Sequence, residues 1–163
     1  MSVNRYQPHV FVLPEDDANR QLANGFVLSD YVATRKIQVL PEAGGWSKLL
    51  EHFLSDHVAE MDRYPGRCMV LLLDFDGRRE RLNDAKARIP EHLAQRVFIL
   101  GILSEPEDLK ADLGSSYESI GLAMARDCHE DSHTTWGHAL LRHNESELDR
   151  LREHVWPILF PPI

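Results

Sequence analysis

Five apolar residues in a row, Met69-Val70-Leu71-Leu72-Leu73, run without a break into Asp74-Phe75-Asp76-Gly77. A strand with one wet face alternates apolar and polar residues, and this one does not, so it belongs at the centre of a sheet covered on both sides. It is also far shorter than the roughly 20 residues a membrane-spanning helix needs, and no apolar run in the chain comes near that length. With 43% apolar and 27% charged residues, the composition is that of a globular protein. The 163 residues suffice for one domain with a core of its own, without disulfides or structural metal. The N-terminus, MSVNRYQPHVFVLPEDD, lacks the basic and apolar regions of a secretory signal, so a cytoplasmic location is the expectation.

The neighbouring elements fall into an alternation. His9 to Leu13 reads as a strand closed by Pro14, and a helix follows with Asp16 and Asp17 at its start and Leu22, Ala23, Phe26 and Val27 on one face. Ile37 to Leu40 is a second short strand. Trp46 to Met61 then carries apolar residues at helical spacing. After the central strand come an amphipathic segment from Arg78 to Ile89 and a second fully apolar strand, Val97 to Leu103. From there the pattern is helical: Glu105 to Leu113, Tyr117 to Asp127, Thr135 to His143, and Glu145 to Val155 with Asn144 as its cap. The order β-α-β-α-β-α-β followed by helices predicts an α/β fold: a four-stranded or slightly larger, mainly parallel sheet sandwiched by helices, with a helical C-terminal extension.

In open α/β sheets, ligands bind beyond the carboxyl ends of the strands. Glu15 follows the first strand, Glu42 the second, Asp74 and Asp76 the third, and Glu105 the fourth, with Glu107 and Asp108 behind it. Parallel strands would bring these carboxylates to one rim. Carboxylates that close raise one another's pKa unless a cation offsets them, and oxygen-only ligands favour a hard ion, Mg²⁺ or Mn²⁺. Strand alternation through Asp74-Phe75-Asp76 would point both aspartates the same way. The competing explanation is that Asp at a strand end simply starts a turn or caps the next helix.

Three motifs in order carry a family resemblance: Val12-Leu13-Pro14-Glu15-Asp16-Asp17, Gly44-Gly45-Trp46-Ser47-Lys48, and Asp74-Phe75-Asp76. Together they resemble the Toprim domain, especially as found in the overcoming-lysogenization-defect nucleases and related small Toprim-like proteins. The resemblance covers residues 8 to 113; residues 114 to 163 form the helical extension of the same single domain. It implies a Toprim, Rossmann-like fold and metal-dependent phosphodiester hydrolysis or another phosphoryl transfer. Glu15, Asp74 and Asp76 would be the catalytic and metal-holding residues, Glu105 would assist at a second ion, and Arg78 or Lys48 would steady a phosphate. The sequence departs from the family where Glu-Gly becomes Glu15-Asp16. The lysine of the nuclease branch has only Lys48 and Lys110 as candidates, and there is no phosphate-binding Gly-x-x-x-x-Gly-Lys-Ser/Thr loop.

A net charge of −8 argues against a stand-alone nucleic-acid binder, because such binding rests on Lys and Arg neutralising phosphates. It leaves room for an enzyme that meets a nucleic-acid substrate through bridging metal ions. The rival is a non-catalytic module on a Toprim scaffold that uses its C-terminal helices to form a homo-oligomer or bind a protein partner. Cys68 and Cys128 read as free thiols. Among Cys128, His129, His133, His138 and His143, the spacing does not match a metal-binding helix pair, so these histidines read as solvated or capping. Trp46, Trp136 and Trp156, without interleaved basic residues, read as core or interface residues.

Overall fold

The structure is a computed structural model that describes residues 3–162. Its strands are β1 (His9–Pro14), β2 (Ile37–Val39), β3 (Arg67–Leu72) and β4 (Val97–Leu100), all parallel, in the order β2-β1-β3-β4. The two longest strands pair along their whole length at the centre, from His9 against Arg67 to Pro14 against Leu72. Strand-like bonding continues past β4. The Leu73 N–H donates to the Leu100 carbonyl at 3.0 Å and the Phe75 N–H to that of Ile102 at 3.0 Å, so the apolar run to Leu103 is used in full. Gly101 lies in this stretch, where a Cβ would sit 1.7 Å from the Leu73 carbonyl oxygen.

Helices cover both faces. On one lie α2 (Trp46–His52), a π-helical turn (Phe53–His57), α3 (Val58–Arg63) and α4 (Arg81–Ala87). The first three form the continuous helix expected from the spacing. The π turn, closed by the Val58 N–H on the Phe53 carbonyl, inserts one residue and lets both Phe53 and Val58 join the same core. On the other face lie α1 (Asp17–Val27), α5 (Pro106–Leu113), α6 (Tyr117–Glu130), α7 (Glu145–His154) and α8 (Trp156–Leu159). Here α1 and α6 touch backbone to backbone. A Cβ on Gly25 would lie 2.2 Å from the Glu118 carbonyl oxygen, and one on Gly121 2.1 Å from that of Leu22.

The expected helix Thr135–His143 does not form. Its residues make turns and end in a 3₁₀ turn at Arg142–Asn144. Buried Asp127, on α6, accepts from the Thr135 and Trp136 backbone N–H groups at 2.6 and 3.0 Å and from the Ser132 hydroxyl. These contacts satisfy donors outside a helical ladder, and the Trp136 indole N–H reaches the Met124 carbonyl.

Asn144 stands at the start of α7, as expected of a cap, but its side chain serves the sheet. Its carboxamide accepts from the Gly101 N–H at 3.0 Å and donates to the Gly101 carbonyl at 2.9 Å. One turn on, Glu147 accepts from the Ile99 N–H at 3.0 Å, and Arg150 donates to the Val97 carbonyl at 3.3 Å. Side chains three apart on one helix thus occupy the groups through which edge strand β4 would pair with another strand. Among the described residues no helix is long and apolar enough to cross a membrane.

Candidate metal centre

The order β2-β1-β3-β4 makes the chain leave β1 to one side and later return to its other side, so the crevice between the ends of β1 and β3 is where this fold places a ligand. Glu15 and Asp74 flank that crevice. Glu15 is fixed by its N–H on the Leu72 carbonyl at 2.8 Å, and its own carbonyl accepts from Gly44 and Gly45 at 2.8 and 3.1 Å. Those glycines have φ of 95° and 143°, values that suit residues without a Cβ. The pair therefore turns the chain over the end of β1.

Ligand oxygens of Glu15, Asp16 and Asp74 all lie within 4.8 Å of one another, and these residues form a cluster that could hold a metal ion. Asp16 caps α1 by accepting from the Asn19 backbone N–H at 2.9 Å, which draws it to the same rim. Buried Asn19 joins the set through its amide, which donates to Asp16 Oδ1 and to Asp74 Oδ1, both at 3.0 Å. Glu15 Oε2 accepts from the Asp74 backbone N–H at 2.7 Å. Each carboxylate thus has one oxygen held in place. The Asp74 carboxyl also shares side-chain hydrogen bonds with those of Glu15 and Asp16.

Crowding and burial set the electrostatics. Burial, reinforced by the Asp16 and Glu15 charges and opposed by the Asn19 hydrogen bond, pushes the Asp74 carboxyl up to about 8. Burial likewise raises Glu15, with the Asp16 and Asp76 charges adding to it and the Asp74 N–H opposing. A proton or a cation relieves the site.

The other expected residues lie elsewhere. Strand geometry stops before Asp76, which adopts φ 50°, so its carboxylate does not follow that of Asp74 into the cluster. It pairs instead with Arg81 at 3.1 Å. Arg81 also donates to the Asp74 carbonyl at 3.0 Å and lies over the Trp46 ring at 4.6 Å. Glu105 is exposed at the start of α5 and lies outside the group. Glu42 pairs with Arg20 at 2.9 Å. Arg78 is exposed and turned to Glu80 at 3.2 Å. Exposed Lys48 lays its stem along Gly44, beside the Glu15 main chain.

Asp16 and Asn19 are the residues to which the sequence alone gives no part in the cluster. The spacing Asp16-x-x-Asn19 is a helix-start signature, and only a partner from β3 turns it into part of a site. Cys68 and Cys128 are free, and burial pushes the Cys128 thiol up to about 12, away from thiolate chemistry. His129 stacks on Tyr31 at 3.9 Å, and His143 meets Phe75 edge-on at 5.0 Å. Among the described residues the acidic group is the one set with metal-ligand geometry. Comparison with family models, with curated proteins and with solved structures returns no significant match.

Proposed function

We propose that Glu15, Asp16 and Asp74 hold Mg²⁺ or Mn²⁺ and that the protein catalyses metal-dependent phosphodiester hydrolysis or another phosphoryl transfer. One observation carries this reading: three carboxylates at a strand-end crevice, each with one oxygen held in place, where burial and the neighbouring charges push Asp74 up to about 8. An all-oxygen donor set suits a hard divalent ion. Such an ion supplies an activated water and neutralises charge on a phosphoryl group. The protein's own part is positional. Asn19 locks Asp16 and Asp74 together, the Asp74 N–H locks Glu15, and Arg81, anchored on Trp46, holds Asp76 at the rim. The three motifs that resemble the Toprim domain support the same reading, with Asp16 taking a ligand position and Asp76 standing one layer out.

Calorimetric titration of Mg²⁺ and Mn²⁺ into the wild type and Asp74→Asn tests it. Binding to the wild type, weakened at least about tenfold in the variant, is expected, since loss of one charged ligand removes more than about 1.4 kcal/mol. Equal or negligible binding in both sinks the metal site. Loss of supercoiled or single-stranded DNA with Mn²⁺ then tests the nuclease step. A second reading, a non-catalytic scaffold, is favoured by the pairing of Arg78 with Glu80 and of Arg81 with Asp76, which occupies cations beside the rim. Metal binding without cleavage is its expected outcome.

A further inference from the structure

Val12 and Val70 face each other in register on the two central strands, beneath a full layer of helices, yet they keep 5% and 6% of their surface accessible. On the opposite face Met69 and Leu71 keep none, although Phe11 keeps 7%, so it is the lining and not the exposure that marks the space. The accessible surface lies on the walls of a partly enclosed cavity of about 70 Å³ between the sheet and α1, α6, α7 and α8. A single water needs roughly 10–15 Å³ and two to four polar partners; the space exceeds the first requirement and fails the second. Apart from the Asn19 amide and two indoles, the lining side chains are hydrocarbon or thioether, and the Trp136 indole N–H is already committed to the Met124 carbonyl. Asn19 likewise spends its amide hydrogens on Asp16 and Asp74.

We propose that this cavity is a binding site for a small, uncharged, hydrocarbon-like ligand, such as a compact ring of benzene's size. Charge is excluded because no side chain in the wall would balance it, and bulk is excluded by the volume. The way in is marked by Trp156, half-buried on α8, which lines both the cavity and an open surface cleft of about 400 Å³ bounded by Cys128, His129, Arg152 and Phe160. Phe26 closes the other side of this passage, its ring 6.3 Å from that of Trp156. A swing of the Trp156 side chain connects cleft and cavity without unpairing any strand. The site is separate from the carboxylates, and its test needs no metal.

The test is a benzene titration of the metal-free wild type, Ala23→Val and Val70→Ile, read as thermal midpoint against ligand concentration. Bromobenzene serves as a heavy-atom quencher of tryptophan emission. A ligand that binds only the folded state raises the midpoint with concentration. A wild-type midpoint that rises with benzene, and saturable quenching by bromobenzene, are expected. Each filled variant should bind at least about fivefold more weakly, because the two carbons added by Ala23→Val, or the one added by Val70→Ile, in a confined space cost about 1 kcal/mol or more. A wild-type midpoint that stays flat or falls overturns the site whatever the variants do. Undiminished affinity in the folded variants overturns this cavity as its location.

Discussion

The two faces of the sheet are built differently. Beneath α2, α3 and α4, Leu49, Leu50, Phe53, Met61, Met69, Leu71 and Leu73 are sealed completely, and one long helix with a π turn supplies most of the cover. Beneath α1, α6, α7 and α8, four helices meet over the same strands and leave a cavity among them. Helices held apart or together by fixed contacts cannot all settle onto a sheet at once. The glycine contact between α1 and α6 and the side-chain contacts of α7 along β4 set positions that the apolar side chains between them do not fill. The lesson is that a layer anchored by specific contacts sacrifices density, whereas a layer of one continuous helix does not.

That contrast can be broken by matched truncations. Leu71→Ala on the sealed face should cost about 4–5 kcal/mol, and Leu100→Ala in the cavity wall about 2–3 kcal/mol, since Leu100 already lacks partners on one side. Urea unfolding of both variants measures the difference, and equal costs would refute it. The anchoring itself is tested by Asn144→Ala, which leaves the buried Gly101 N–H and carbonyl without their side-chain partner. A loss of about 2–3 kcal/mol is expected, with faster amide exchange at Gly101 than at Leu71.

The smallest effect per unit change concerns pH. Asp74 has its folded pKa raised from 3.8 to about 8, so between those values the folded state holds a proton that the unfolded state has released. Metal-free stability is therefore greatest at the acid end of that window and falls as pH rises through it. The slope from this residue is at most about 1.4 kcal/mol per pH unit. Asp74→Asn should flatten the slope, and so should a bound divalent cation in the wild type. Denaturation curves from pH 5 to pH 8 show whether they do. An unchanged slope in Asp74→Asn would mean that another group governs it.

The strands and most helices were legible because unbroken apolar runs and 3.6-residue spacing leave few alternatives. Thr135–His143 misled because Trp136, Leu140 and Leu141 have helical spacing, while the residue that undoes the helix, Asp127, belongs to the preceding helix and acts only once α6 is in place. In the candidate site, Glu15 and Asp74 were legible as strand ends. Asp16 was legible only as a cap, because the convergence of α1 with β3 is a tertiary fact. The left-handed turn at Asp76 and the pairing of Arg81 depend on how the chain leaves the sheet, which no short motif specifies. Asn19, which binds the carboxylates together, is legible only as part of a helix start.

Glu147 has a role beyond its bond to Ile99. Fully buried at the sheet edge, it also accepts an ion pair from Lys86 of α4 at 3.3 Å and from Arg150 at 2.7 Å. A helix from the looser layer is thereby clasped around the rim of the sheet to a helix of the denser one. The β4 side is consequently a seam, closed to a visiting strand.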